Sequence, residues 1–132
     1  MLADTLRFDP AVPFLPDTPV TVDVPTGMRA VNGGLLTTAT TFSYHVADGS
    51  LLRLQQLLAE LRYLPVNFTP TTPETNTASA QGEMAFDPPA GTFAMRFPST
   101  PQALTDLWEP DSLTPMTNGA IMAFENVHHL KV

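Results

Sequence analysis

Thirteen Asp and Glu residues, six Lys and Arg, three His and no Cys set the range of chemistry open to this 132-residue chain. Two carboxylates can cleave a glycosidic bond when one protonates the leaving oxygen and the other attacks the sugar or activates water. Glu60, Glu83, Asp106, Glu109, Asp111 and Glu125 are the available candidates, but they stand in no recognisable motif and read as a solvated acidic face. Ser43, Ser50, Ser79, Ser99 and Ser112 lie in no strained nucleophile turn, and no Gly-rich phosphate loop is present. The lack of cysteine removes thiol nucleophiles, disulfides and Cys-ligated zinc. His128 and His129 are adjacent, so on a helix they diverge and cannot chelate one ion as an i, i+4 pair would; His45 is the only other imidazole. They are expected as exposed or capping residues at a helix C-terminus, where the helix dipole favours cations. No catalytic residue, metal site or cofactor is assigned, and the chain is not expected to be an enzyme.

Tyr63, Phe93, Phe97 and Trp108 offer aromatic faces of the kind that stack on sugar rings. The competing reading is that they fill the core of a chain with one Trp and two Tyr. Met84, Met95, Met116 and Met122 are expected as adaptable core filler. A net charge of −7 argues against nucleic acid or an anionic membrane as partner. The first ten residues have neither a basic start nor the apolar run of a signal peptide, and no stretch approaches the ~20 apolar residues of a membrane span.

Elements must position these side chains. Leu, Ile, Val and Phe make up about a quarter of the residues, enough for a core. Fourteen prolines, none of them between residues 26 and 64, keep most elements short. Val20-Thr-Val22-Asp-Val24 and Thr40-Thr-Phe42-Ser-Tyr44-His-Val46 alternate with period two and predict strands flanking a reversal at Asn32-Gly33-Gly34. Such a pair needs further strands to be stable. From Ser50, the positions of Leu51, Leu54, Leu58 and Leu61, with Leu57 beside them, predict a helix with a leucine stripe ending before Pro65. Thr69 to Glu83 contains no Leu, Ile, Val or aromatic residue and predicts a mobile loop. The short alternations Met84–Phe86 and Thr92–Phe97 predict a small hairpin. Ser99-Thr-Pro101 predicts an N-cap and first-turn proline for a helix with Leu104, Leu107 and Trp108 inward. Ile121, Phe124 and Val127 predict a short helix within 118–129.

The two periodic helices resemble the peptidoglycan-binding-like domain of bacterial cell-wall hydrolases and L,D-transpeptidases. Its first signature, an aliphatic residue, Leu-Gln, two spaced leucines and Gly-Tyr, aligns with Leu51, Leu54-Gln55, Leu58, Leu61 and Arg62-Tyr63. Its second, Ala-Val, Phe-Gln and Gly-Leu, aligns with Ala120-Ile121, Phe124-Glu125 and His129-Leu130. Arg62 and His129 replace glycines, Glu125 replaces a glutamine, and residues 64–116 form a much longer connection than usual. Both helix ends must therefore accept left-handed strain or terminate differently. The pattern usually continues with Asp-Gly and a third helix, which these residues lack. Upstream, Pro19–Gly27, Asn32-Gly33, Leu35 and Thr41–Tyr44 are similar to the last strands of a bacterial Ig-like module.

Together these readings predict an α+β fold, with a β-rich, Ig-like segment over 1–47 and a peptidoglycan-binding-like part over 48–132 interrupted by the 64–116 insertion. The resemblance implies a non-catalytic recognition or spacer module of a larger exported, extracellular or wall-associated bacterial protein. Its partners would be peptidoglycan glycan or stem peptide and an adjoining catalytic domain. Arg62 would meet a peptide carboxylate, Tyr63 a sugar face, and Trp108 is the further ligand-binding candidate. The alternative is a structural or homo-oligomeric interaction protein that binds no glycan. Ile121 and Phe124 must be covered by the insertion, by the β part or by another molecule.

Overall fold

A computed structural model describes residues 7–130 and has an α+β fold, with four helices and two antiparallel two-stranded sheets among them. The chain divides into two compact units, Met1–Asp48 and Gly49–Val132.

In the first unit, β1 (Pro19–Val24) pairs with β2 (Thr40–His45). The register sets Val20 opposite Tyr44 and Val22 opposite Phe42, so the valines and aromatics share one face as the alternation requires. On the other face the Thr21 and Ser43 hydroxyls share a hydrogen bond (3.1 Å), and the Thr41 hydroxyl donates to Asp23 Oδ1 (2.7 Å). The reversal falls where Asn32-Gly33 stands: Gly33 has φ +87° and its N–H donates to the Ala30 carbonyl. Among the described residues of this unit none is buried, and Phe42 is still 51% exposed. Among the described residues of this unit the expected extra strands are not found, and a single bridge between Arg29 and Leu35 is the one addition.

The second unit is built on α1 (Leu51–Glu60). Ser50 Oγ accepts the Arg53 N–H and caps its start. At its end Arg62 adopts φ +66°, the Tyr63 N–H donates to the Leu58 carbonyl (2.8 Å) and the Arg62 N–H to the Ala59 carbonyl (3.1 Å). These are the paired bonds of a Schellman ending. The last helix spans Pro115–Val127, starts from the Thr114 side chain with Pro115 in the first turn, and ends in the same way at His129 (φ +54°). At both positions, therefore, a side chain occupies the left-handed conformation usually given to glycine.

Leu58, Ala59, Leu64, Val66 and Ala120 form the buried core of this unit, flanked by Tyr63, Phe68, Phe93, Met95, Trp108, Met116, Ile121 and Phe124. The leucine stripe is only partly buried. Leu54 and Leu61 are exposed, whereas Arg53, Gln55 and Gln56 are buried on the same helix. The reason is that α1 packs under main chain as well as under side chains, and main-chain carbonyls need donors rather than methyl groups. Met95 and Met116 join the core, but Met122 is exposed.

The insertion is more ordered than its composition predicts. Its first strand, β3 (Val66–Pro70), takes in Thr69 and Pro70, and the helix α2 (Ala78–Met84) follows, capped by Thr77 Oγ1. The expected mobile loop over 69–83 is thus corrected: capping and polar contacts order the segment in place of an apolar face. The expected 84–97 hairpin is also replaced, because Met84 belongs to α2 and β4 (Gly91–Met95) pairs with β3 instead. Phe68 lies opposite Phe93, with ring centroids 5.0 Å apart, and this non-local aromatic pair fixes the register. Gly91 is required there, since a Cβ would come within 2.6 Å of the Phe68 ring. The short α3 (Gln102–Thr105) begins after Pro101, which is its cap rather than its first residue. Leu104 and Leu107 are exposed, and only Trp108 turns inward. With α3 placed, Pro115–Val127 is α4 in chain order.

Candidate functional site

The C-terminal ends of α1 and α4 meet. Tyr63 leaves the Schellman turn of α1 and sets its ring edge-on to Phe124 of α4, with centroids 5.4 Å apart and planes at 85°. Its hydroxyl lies 3.4 Å from His128 Nε2, and the His128 ring lies against Phe124 at 4.4 Å. Phe124 is therefore covered from within the unit. Arg62, His128 and His129 are exposed around this aromatic cluster, at helix ends whose dipoles favour positive charge. The corner presents an exposed guanidinium, a half-buried phenol and two exposed imidazoles. That set can accept a carboxylate and present an aromatic edge, but it contains no activated nucleophile.

Trp108 belongs to a different group. Its ring packs edge-on to Phe93 at 5.3 Å, and Phe93 leans on Phe68 across the β3–β4 sheet. The fold thus joins Arg62 and Tyr63 at one corner, while the ring partner of Trp108 is Phe93. Phe97 is exposed and Phe93 half-buried.

Four polar side chains that the sequence reading did not single out as structural anchors hold these groups in place. Gln55, fully buried, donates through Nε2 to the Glu109 and Ser112 carbonyls and to Thr117 Oγ1 (3.2, 3.0 and 2.9 Å), and its Oε1 accepts the Asp111 N–H (2.7 Å). It ties α1 to α4 and to the loop that follows Trp108. Gln56 Nε2 donates to the Pro89 carbonyl (2.9 Å). Arg96 Nη2 donates to the Ala59 and Val66 carbonyls (3.1 Å each), satisfying a carbonyl in the last turn of α1 beside Arg62 and Tyr63. Arg53 pairs with Glu74 at 2.9 Å. The available signal was the Arg53-Leu-Gln-Gln56 run: three large polar residues inside a leucine-rich helix that has a core on more than one side.

Partial burial pushes the Glu60 carboxyl above its ordinary range; the charge of Glu74 adds to this and Arg53 opposes it. Glu74, Glu83 and Asp87 line one shallow depression with Thr72, Pro73 and Pro89. Among the described residues no three His or carboxylate side chains are grouped to hold a metal ion, and no helix is long and apolar enough to cross a membrane. Compared with protein-family models, curated proteins and solved structures, the chain finds no match in any of the three.

Proposed function

We propose that this chain is a non-catalytic recognition or spacer module for the bacterial cell wall, binding peptidoglycan glycan or stem peptide and holding an attached enzyme near it. The observation that supports the reading is the contact of Tyr63 with Phe124. Residues of the two signature segments, separated by a long insertion, pack edge to face in one unit. The ligand-binding corner is Arg62 with Tyr63, where the guanidinium takes a peptide carboxylate and the phenol ring takes a sugar face. Trp108, in the separate aromatic group with Phe93, is the further ligand-binding candidate.

The test is co-sedimentation of the purified chain with murein sacculi. Retention of the wild type, lost in Tyr63→Ala and weakened in Arg62→Ala with an unchanged circular dichroism spectrum, supports recognition. Arg62 is exposed, so its removal leaves the packed core in place. No retention at high protein concentration refutes it, and release of soluble muropeptides by the chain alone overturns the non-catalytic assignment. A second reading, a structural or oligomeric interaction protein, is favoured by the first unit, whose Phe42 and Tyr44 remain exposed. Under that reading, sedimentation with sacculi is absent and the melting temperature rises with protein concentration.

A further inference from the structure

The β1–β2 sheet has two outer edges, and they are not alike. The Val46 N–H donates to the Thr18 carbonyl (3.0 Å), which fixes the phase of the antiparallel ladder. Hydrogen-bonded pairs alternate along such a ladder, so Val20–Tyr44, Val22–Phe42 and Val24–Thr40 bond to each other. Pro19, Thr21 and Asp23 on β1, and Thr41, Ser43 and His45 on β2, then turn their main-chain groups outward. The side-chain contacts of Thr21 with Ser43 and of Thr41 with Asp23 agree with this phase, because side chains approach more closely in the non-bonded pairs. Only beyond Thr18 does the alternation break, where the left-handed Asp17 (φ +53°) sends its N–H to the Ala47 carbonyl.

The outer edge of β1 is guarded. Pro19 stands at an outward position and has no N–H to offer, Asp23 at another carries a charge, and Pro25 follows the strand. The outer edge of β2 has no such guard. Thr40–His45 contains no Pro, Asp, Glu, Lys or Arg, all six residues are exposed, and among the described residues no strand pairs with that edge. A two-stranded hairpin is marginal in water, so a further strand stabilises it most.

We propose that β2 pairs antiparallel with β2 of a second copy of this chain, giving a four-stranded sheet of order β1-β2-β2-β1 with a two-fold axis at Ser43. The strand matches itself about that axis. Ser43 bonds Ser43 of the second copy, and each Thr41 bonds the other copy's His45, so all three outward residues are used in three pairs of two bonds each, about six in all. The faces stay in phase: Phe42 meets the second copy's Tyr44 and extends the valine and aromatic face, while the Thr21–Ser43 hydroxyl pair grows into a row of four hydroxyls. The second copy's His45 comes beside the Thr41 hydroxyl, which is already turned to the Asp23 carboxylate, so an imidazole donor meets an acceptor and no like charges face each other. The pairing rests on the oligomeric part of the second reading above and is neutral toward wall binding.

An edge contact is smaller than a standard interface, so the dimer is weak, and the full chain is studied from about 10 μM to about 1 mM. Sedimentation velocity is expected to show monomer passing to dimer over this range. In parallel, amide exchange shows the Thr41, Ser43 and His45 N–H groups gaining protection, whereas Thr21 and Asp23 on the opposite edge gain none. A dimer that protects Thr21 and Asp23, or neither edge, keeps the oligomeric reading and overturns this pairing; a chain that stays monomeric throughout overturns both. Ser43→Lys and Ser43→Glu each set like charges face to face on the axis and raise the dimer Kd roughly 5-fold or more, and an equimolar mixture of the two restores association. Wild-type association of either variant alone, or a mixture no tighter than its components, refutes the axis at Ser43.

Discussion

Arg62→Gly is expected to stabilise the second unit although it deletes a charged side chain and adds no contact. Arg62 sits at φ +66° in the Schellman ending of α1. A residue with a Cβ in that conformation is strained by about 1–2 kcal/mol, because the Cβ crowds the following carbonyl oxygen. Glycine removes the strain but loses about 0.5–1 kcal/mol through the larger entropy of the unfolded chain. The guanidinium at an exposed helix end contributes about 0.3 kcal/mol, which is also forfeited. The net gain is about 0.5 kcal/mol, and His129→Gly, at φ +54° on α4, gains a similar amount. Urea unfolding followed by Trp108 fluorescence reads the midpoint, with an unchanged slope showing that only stability has moved. Arg62→Val provides the opposite arm, since a β-branched side chain tolerates the left-handed region least. A lower midpoint in Arg62→Gly together with an unchanged midpoint in Arg62→Val would refute the left-handed ending and the strain assigned to it. Asp111, at φ +57°, is a graded control, because Asp tolerates this region better than Arg and gains less on replacement by Gly.

Gln55→Leu keeps the volume and removes four hydrogen bonds, leaving the Thr117 hydroxyl and the Asp111 N–H without their buried partner; it is expected to destabilise by about 2–4 kcal/mol in urea, and a loss below about 1 kcal/mol would show that the network contributes little. Glu60 holds its proton more tightly in the folded than in the unfolded chain, so its contribution to stability is full below the ordinary carboxylate range and is lost as pH rises through the raised value. Glu60→Gln is therefore more stable than wild type at pH 7, by a small margin because the side chain is exposed, and the difference in urea midpoint shrinks toward pH 4; a difference that widens on acidification contradicts the assigned direction.

Elements defined by neighbouring residues were legible in the sequence. The period-two valines and aromatics gave β1 and β2, the leucine spacing gave α1, and Ile121 with Phe124 marked α4, because each pattern is complete within one element. The comparison of Arg62 and His129 with glycines identified two of the four non-glycine positions, among the described residues, where the backbone takes positive φ; Asp17 and Asp111 carried no such signal. What escaped depends on residues far apart in the chain. The β3–β4 pairing rests on Phe68 meeting Phe93, and no local pattern tells a strand which distant partner it will find. Order in α2 comes from Thr77 capping and from the grip of Arg53 on Glu74 and Gln81, none of which shows as hydrophobic periodicity. For the candidate site, the adjacency of Arg62 and Tyr63 was already in the sequence. The aromatic surroundings of Trp108, by contrast, were set by the strand pairing that the sequence did not reveal.

The bonds of Gln55 to the loop after Trp108 run almost wholly to main-chain atoms: the Glu109 and Ser112 carbonyls and the Asp111 N–H. A grip on the main chain is blind to side-chain identity. The exposed side chains of Glu109, Pro110 and Leu113 can accordingly change, altering the surface chemistry without detaching the loop, while Asp111, at φ +57° with its N–H engaged, and the glutamine beneath have no such latitude. A single amide on a helix thereby uncouples how this loop is held from what it displays.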